Sequence, residues 1–500
     1  MALSICFYIA IKMTIKEEVL INASQYEIRV ALIAQGRLQE LYFEQSLSRG
    51  LVGNIFKAKV VRVLPGMQAA FVDLGLDKNG FLHARDILRL DHKDSQKIPS
   101  IEKLVRQGET VMVQVVKDPV GDKGASLTMH ISIPSRNLVY LPYGKNIGIS
   151  QQITNSEERK RLTNLLTDLQ QKHQIKGGFI IRTSTESVIN QQLDNDVNLL
   201  NKLWQSIQID MKNAKKGSQI YEDLPLELRV MRDFMHLDIE RVIIDSQDAF
   251  DKVCNFSDEF IPEMRHKLEK YDAEQPLFNK YEIEQEIDKS LDRKVLLESG
   301  SFLVIDQAEA MTTIDVNTGS YVGNKNDGET FLQTNLEAAT EIARQLRIRN
   351  LGGIIVIDFI NMQKGSHKKQ VLLALESALS KDRVNIEITD MSPLGLVEIT
   401  RRRVRQSLEQ LMCEPCQVCD GKGTVKTIKT VCYEILREVM REDGQYKSRA
   451  YTIVAAPRVI DFLSDDKISG LDDLQKNIAR PINLQVEKSY SQEQYDIILN

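Results

Sequence analysis

The fold is decided by SFLVIDQAEAMTTIDVN, residues 301–317, read together with GGIIVIDFI, residues 352–360. Both are apolar, β-branched runs with an acid at or near the end, Asp315 in the first and Asp358 in the second. Between them, residues 331–349 carry Leu332, Leu336, Ala339, Ala343 and Leu346 at helical spacing, with Arg344, Arg347 and Arg349 as polar members. Asn350 and the Gly352–Gly353 pair supply the helix stop. Strand, helix and buried strand make an α/β unit, which a helix over about 367–379 and a strand over about 384–389 continue. Alternation puts Asp315 and Asn317 on one side of their strand and Val316 on the other. Mg²⁺ takes hard oxygen ligands and few protein carboxylates, leaving positions for water and phosphate. Two aspartates, with an amide beside one to orient it, supply that chemistry. Such an ion would position a water and neutralise a phosphodiester. Strand-end acids are common, so these residues taken alone also fit ordinary strand ends. Neither Ser nor Cys stands here in a nucleophile-elbow setting.

Toward the N-terminus, residues 19–43 alternate as strands around the turn Ala34-Gln35-Gly36-Arg37. Residues 53–132 hold five short strands with turns at Pro65-Gly66 and Lys78-Asn79-Gly80, which fits a small closed barrel of OB type. The polar stretch 91–100 is expected to be an exposed insertion. Phe71 and Phe81 lie on neighbouring strands and Lys117 on a later one. On an OB surface aromatics stack bases and a lysine contacts phosphate, although a phenylalanine is more often core. Residues 133–227 mix helix and strand, and GGFII ends in Arg182-Thr183, a guanidinium fork and a hydroxyl that suit a terminal phosphate or form a solvated strand end. Residues 228–291 are charged and are expected to be mostly helical. The run Arg401-Arg402-Arg403-Val404-Arg405 follows a strand and opens a helix; it is either a solvated face or a lining for nucleic acid.

Composition narrows the class. The formal charge of −5 and the 42% apolar content describe a globular chain, not a polybasic tail binder. Of the six cysteines, Cys413, Cys416 and Cys419 cluster with metal-ligand spacing, ahead of Asp-Gly-Lys-Gly. One such knuckle gives two thiolates where structural Zn²⁺ wants four, so two chains each donating Cys416 and Cys419 would complete a site; free cytosolic thiols are the alternative. The apolar run in MALSICFYIAIK is too short for a membrane span and lacks a basic leader, so no membrane anchor and a cytoplasmic location are expected. Met13 begins a cleaner start, so residues 1–12 are expected to be an N-terminal extension or a misassigned start.

Long stretches then carry a resemblance. GLVGNIFKAKVVRVLPGMQAAFVDLGLDKNGFLHA, GGFIIRT, LVIDQAEAMTTIDVNTG, ARQLRIRNLGGIIVIDFI, LGLVEITRRR and CQVCDGKGTVKT occur in this order, and the segment from Gly53 to His83 resembles an S1-type RNA-binding domain. Over nearly its whole length the chain resembles the RNase E/G family of endoribonucleases. The resemblance implies a multidomain α/β fold. Its parts are an RNase H-like part split over 13–52 and 228–291, an S1 (OB-fold) insert at 53–132, a 5′-sensor at 133–227, a DNase I-like catalytic subdomain at 292–411, a zinc-link at 412–424 and a small α/β C-terminal domain at 425–500.

It also implies roles. Asp315 and Asp358 match Mg²⁺ ligands and Asn317 the amide beside them; Phe71, Phe81 and Lys117 match holders of single-stranded RNA. Arg182 and Thr183 match a 5′-monophosphate pocket, and Cys416 and Cys419 a Zn²⁺ shared between the chains of a homodimer, with higher oligomers open. The expected activity is Mg²⁺-dependent cleavage of single-stranded A/U-rich RNA, leaving 5′-phosphate and 3′-hydroxyl ends, in ribosomal RNA 5′-end processing and mRNA decay. The long disordered scaffold tail of some members is expected to be absent. Two positions depart from the family: Asn361 stands where a second Asp is usual, thinning the local negative charge, and Pro393 stands where some members place an Arg near the sensor. A non-catalytic S1-type RNA-binding or ribosome-assembly protein is the rival reading, supported by Asn361.

Overall fold

The computed structural model describes residues 17–45, 49–87, 99–119, 123–150, 153, 155–182, 190–234, 239–320, 327–446, 448–465 and 470–500. The chain divides into two compact units, Met1–Leu411 and Met412–Asn500. Residues 1–12, most of the polar insertion at 91–100, and Thr183 lie outside the described residues.

In the first unit, Glu17–Ala23 is the central strand of a five-stranded sheet. It pairs antiparallel with Glu27–Ala34 and parallel with Ile239–Ile244, so two distant segments of chain build one sheet. Both faces of the sheet are buried. Val19, Ile21, Val242 and Ile244 pack with Val230 and Met231 of the helix Leu226–Phe234 and Val253 of the helix Gln247–Phe260. Leu20, Ala31 and Ile243 pack on the other side with Phe278, Ile287 and Ile348. The described residues of 228–291 are mostly helical, as expected, but Ile239–Ile244 and Leu268–Lys270 among them are strands. Val242, Ile243 and Ile244 are all buried, and a strand buried on both faces shows no alternation to betray it.

The barrel strands are Ile55–Leu64, Ala69–Asp73, Gly80–His83, Thr110–Lys117 and Ser126–Thr128; pairing of the first with the fourth closes the ring. Ser218–Tyr221 adds to its first strand. The next layer is a four-stranded sheet built around Gly178–Ile181. Against it lie helices Ser156–Lys172 and Asn190–Asn213, whose Leu193, Val197, Leu200, Trp204 and Ile207 recur at helical spacing on the buried face.

The sheet that carries the opening stretch has six strands, in the order Lys294–Leu296, Phe302–Gln307, Met311–Asn317, Gly353–Asp358, Leu396–Arg401 and Ile386–Ile388. Its inner face (Leu303, Ile305, Ile314, Val316, Ile355, Ile357, Val397, Ile399) packs on helices Asp327–Ile348 and Gly365–Leu379. Every residue from Glu341 to Asn350 is buried, the arginines included. That helix lies between two sheets, so its polar residues bridge them. Arg344 Nη1 donates to Leu38 O at 3.0 Å and to Glu286 at 3.1 Å, and Arg347 Nη2 donates to Gln39 Oε1 at 3.1 Å. Burial lowers the Arg349 guanidinium to about 10.

The second unit is a three-stranded sheet with Tyr451–Ala455 in the centre, parallel to Ile482–Val486 and antiparallel to Tyr495–Leu499. Val431, Ile435 and Val439 of the helix Ile428–Gln445 pack on it. Among the described residues no helix is long and apolar enough to cross a membrane.

Candidate active site and nucleic-acid interface

Strict alternation along Met311–Asn317 buries Thr312, Ile314 and Val316 and exposes Asp315, as the sequence predicts. Gly353–Asp358 behaves alike and ends on an exposed Asp358. The two strands are parallel and Asp315 is the register partner of Asp358, so the carboxylates stand side by side on the open face, one strand spacing apart at about 4.8 Å between backbones. Asn317 Nδ2 donates to Asp315 Oδ2 at 2.8 Å. Among the described residues neither aspartate has a basic ion-pair partner. Two adjacent carboxylates without a counter-charge repel, and a hard divalent cation relieves the repulsion. The donor set thus fits Mg²⁺ with water and phosphate as further ligands. No group of three or more His, Cys, Asp or Glu forms a cage among the described residues.

The register extends across the sheet. Lys294 pairs with Val304, Val304 with Asp315, Asp315 with Asp358 and Asp358 with Leu396. Lys294 Nζ lies 3.7 Å from the centroid of the Phe302 ring, and Phe302 is the partner of Asn317. At the same end of the sheet the turn Ser392–Gly395 leads into Leu396–Arg401: Ser392 accepts from Gly395 N at 3.0 Å, and Gly395 has φ +92°. Pro393 and Leu394 are exposed at its tip, and Asn361 is exposed just past Asp358.

On the barrel, Ala70, Val72 and Leu82 point into the core, and Phe71 and Phe81 stand half-buried on the outer face. Their rings meet edge to face, with centroids 6.1 Å apart. Register makes one row of Arg62, Phe71, Phe81, Ser126 and Lys117. Both cations reach that row through a β-bulge. Val60 pairs with Val72 and Arg62 with Phe71, leaving Val61 as the extra residue; Val115 pairs with Leu127 and Lys117 with Ser126, leaving Val116. Without the bulges, Arg62 and Lys117 would follow Val60 and Val115 inward. Arg62 was missed in the sequence for that reason.

Arg182 follows the strand Gly178–Ile181. Its backbone N–H donates to Asn137 O at 2.9 Å, and its Nη1 donates to Ser135 O at 2.9 Å and Asp233 Oδ1 at 2.8 Å. Burial opposes ionisation of Asp233, but Arg232 and Arg182 prevail and hold its carboxyl below the usual range. In the second unit, the backbone N–H groups of Cys419 and Val418 hold the exposed Cys416 thiol below its usual pKa, and Gly423 N donates to Cys419 Sγ at 3.3 Å. Cys413 is exposed beside them.

The basic run divides. Arg401 is buried and donates to Asp382, Asn350 and Leu351 O; Arg405 donates to Leu41 O at 2.8 Å and lies 4.0 Å from the Tyr42 ring centroid. These two hold elements of the unit together, so the run as a whole is neither the solvated face nor the nucleic-acid lining that the sequence left open. Arg402 and Arg403 are exposed. A second residue without an obvious signal is Asn335, fully buried in the helix Asp327–Ile348 and bonded to Ile360. Its only trace in the sequence is an amide among apolar neighbours.

Comparisons with known proteins agree with this layout. Residues 51–130 match the S1 RNA binding domain, residues 132–404 the ribonuclease E/G family, and residues 415–499 the thioredoxin-like domain of RNase E/G. The chain belongs to the ribonuclease E/G family, a family of endoribonucleases. It is 47% identical over 488 residues to ribonuclease G of Salmonella typhimurium, covering 96% of this chain and 99% of that one. Ribonuclease G of Escherichia coli K12 is 46% identical over the same shares. Ribonuclease E of Haemophilus influenzae is 33% identical over 464 residues, which are 92% of this chain but 49% of that protein.

Proposed function

We propose that this chain is a Mg²⁺-dependent endoribonuclease of the ribonuclease G type. It cuts single-stranded, A/U-rich RNA to leave 5′-phosphate and 3′-hydroxyl ends, in ribosomal RNA 5′-end processing and mRNA decay in the cytoplasm. The observation that carries the proposal is the register pairing of Asp315 with Asp358 on an open sheet face, with Asn317 bonded to Asp315. Asp315 and Asp358 would hold the ion, and Asn317 fixes one carboxylate so that its oxygens stay aimed at the site. A bound Mg²⁺ supplies positive charge against the charge that develops on the phosphodiester. Attack by water on phosphorus with departure of O3′ gives the proposed ends and leaves the 2′-hydroxyl unused. The barrel row stacks bases on Phe71 and Phe81 while Arg62 and Lys117 take phosphates, which favours unpaired strands whose bases can splay. Arg182, with Thr183 next to it in sequence, would meet a 5′-monophosphate, in competition with Asp233 for the guanidinium.

The test is to strip the protein with a chelator and follow cleavage of matched 5′-monophosphate and 5′-triphosphate oligoribonucleotides as Mg²⁺ is returned. Cleavage that returns with Mg²⁺, and faster on the monophosphate, is expected. Full cleavage in chelator would sink the metal assignment, and RNA binding without any cleavage would favour the non-catalytic alternative. For the second unit we propose that Cys416 and Cys419 of two chains share one Zn²⁺ in a homodimer. The backbone N–H groups of Cys419 and Val418 favour the thiolate form of Cys416, and Gly423 N donates to Cys419 Sγ. Cys416→Ser should release zinc and shift the protein toward monomer on a sizing column; a dimer of unchanged size would place the interface elsewhere.

A further inference from the structure

We infer that Asn335, remote in sequence from either aspartate, is a positioning residue that sets the affinity of the Asp315–Asp358 pair for its divalent cation. The inference rests on the metal role proposed for that pair. Asn335 is fully buried, on a helix whose neighbouring residues Leu336, Ala338 and Ala339 face the same apolar core. A buried amide is costly unless both its donor and its acceptor are used. Here both go to one residue: Asn335 Nδ2 donates to Ile360 O at 2.8 Å, and Ile360 N donates to Asn335 Oδ1 at 3.1 Å.

Ile360 lies just past Asp358, the last residue of its strand. Up to Asp358 the ladder to Met311–Asn317 on one side and Leu396–Arg401 on the other fixes the backbone. Beyond it the ladder stops, and an aspartate at a frayed strand end would swing. The Asn335 clamp takes over where the ladder ends, with Phe359 and Met362 buried on either side of the clamped peptide. The asymmetry with Asp315 is informative. Asp315 is steadied from the side chain, by Asn317; Asp358 is steadied from the backbone, by Asn335. Outer contacts of this kind tune metal affinity by about 10–100-fold.

The experiment compares the full-length protein with Asn335→Ala and Asn335→Asp, the second keeping the acceptor for Ile360 N–H. Mn²⁺ binding is titrated by the loss of free-ion signal, the Mg²⁺ midpoint of cleavage is measured, and RNA affinity is read in chelator. Asn335→Ala is expected to bind Mn²⁺ roughly 10-fold more weakly, to raise the Mg²⁺ midpoint to match, and to recover cleavage at high Mg²⁺ with RNA affinity unchanged. Asn335→Asp should fall between it and the parent. Parental Mn²⁺ affinity in Asn335→Ala, or lost cleavage that no Mg²⁺ restores, overturns the inference. If neither variant folds, Asn335 belongs to the fold rather than to the site, which overturns it too. Should the parent's Mn²⁺ binding be indifferent to Asp315→Asn, the metal site itself is wrong, a failure distinct from that of the clamp.

Discussion

Two sheet faces in this chain are organised by the same device and carry opposite charge. On the barrel a register row runs Arg62, Phe71, Phe81, Ser126, Lys117; on the six-stranded sheet a row runs Lys294, Val304, Asp315, Asp358, Leu396. The first offers aromatic planes and cations, the chemistry of holding a polyanion through its bases and phosphates. The second offers paired carboxylates, which repel a polyanion until a cation intervenes. The difference separates affinity from turnover: one face can be damaged at the level of binding and the other at the level of chemistry. Charge totals hide this division, since the whole chain is near neutral for its size at −5.

The largest expected effect comes from the acidic row. Asp315→Asn or Asp358→Asn removes a ligand charge where several kcal/mol of transition-state stabilisation are at stake, so cleavage at saturating RNA should fall by about 10³-fold. RNA affinity measured in chelator should hold or improve slightly, because a repelling charge is gone. A variant that cuts at the parental rate with binding intact would end the comparison as drawn. Next in size is the aromatic pair. Phe71→Ala or Phe81→Ala should weaken single-stranded RNA binding by the roughly 1–3 kcal/mol that stacking contributes per base, raising KM while leaving kcat nearly unchanged. A fall in kcat with KM unmoved would place the rings in the chemistry instead.

How much of this was legible in the sequence depends on where the strands keep strict alternation. Along 311–317 alternation is unbroken, so Asp315 and Asn317 could be assigned to the open face from spacing alone, and the two strand-end acids could be brought together by the strand–helix–strand order. On the barrel alternation fails at Val61 and Val116, and a one-residue bulge is invisible to periodicity. Lys117 was singled out as a lysine on a later barrel strand, without its place in the row, and Arg62 was not found at all. The strand Ile239–Ile244 was obscured because burial on both faces removes the polar beat. Arg344, Arg347 and Arg349 were read as polar members of their helix, and Arg401 and Arg405 as part of a solvated or nucleic-acid-lining run, because sequence does not show which helix or strand end packing encloses. Asn335 is of the same kind: its partner is a peptide group, and a peptide group leaves no mark on composition.

The two bulge-delivered cations come next in size. Arg62→Ala and Lys117→Ala are each expected to lower affinity several-fold across sequences and to flatten the dependence of log affinity on log salt by about 1, the signature of one lost phosphate contact. Neither should alter the Mg²⁺ midpoint of cleavage, because neither shares a sheet with the aspartates. A change in that midpoint would mean that the two faces are not separable as described.

The smallest effect tests the exception within the acidic face. Among the described residues Lys294 is the basic side chain that register places on the open face of the six-stranded sheet, and it is held against the Phe302 ring, beside Asn317. A lysine over an aromatic face is steadied at an exposed site by about 0.5–1 kcal/mol, enough to bias where its charge sits without burying it. That places a positive charge along the same row as two negative ones, where an approaching phosphate would otherwise meet only repulsion. Lys294→Met keeps the apolar stem over the ring and removes the charge. It should raise KM about twofold to threefold at moderate salt, with the difference vanishing as salt rises, because an exposed contact of this kind is screened. The Phe302→Leu variant should mimic it more weakly, since the ammonium would remain but lose its seat. A loss for Lys294→Met that persists at high salt would mean that the lysine acts on the aspartates themselves rather than on the incoming strand, and the acidic face would then be a mixed site.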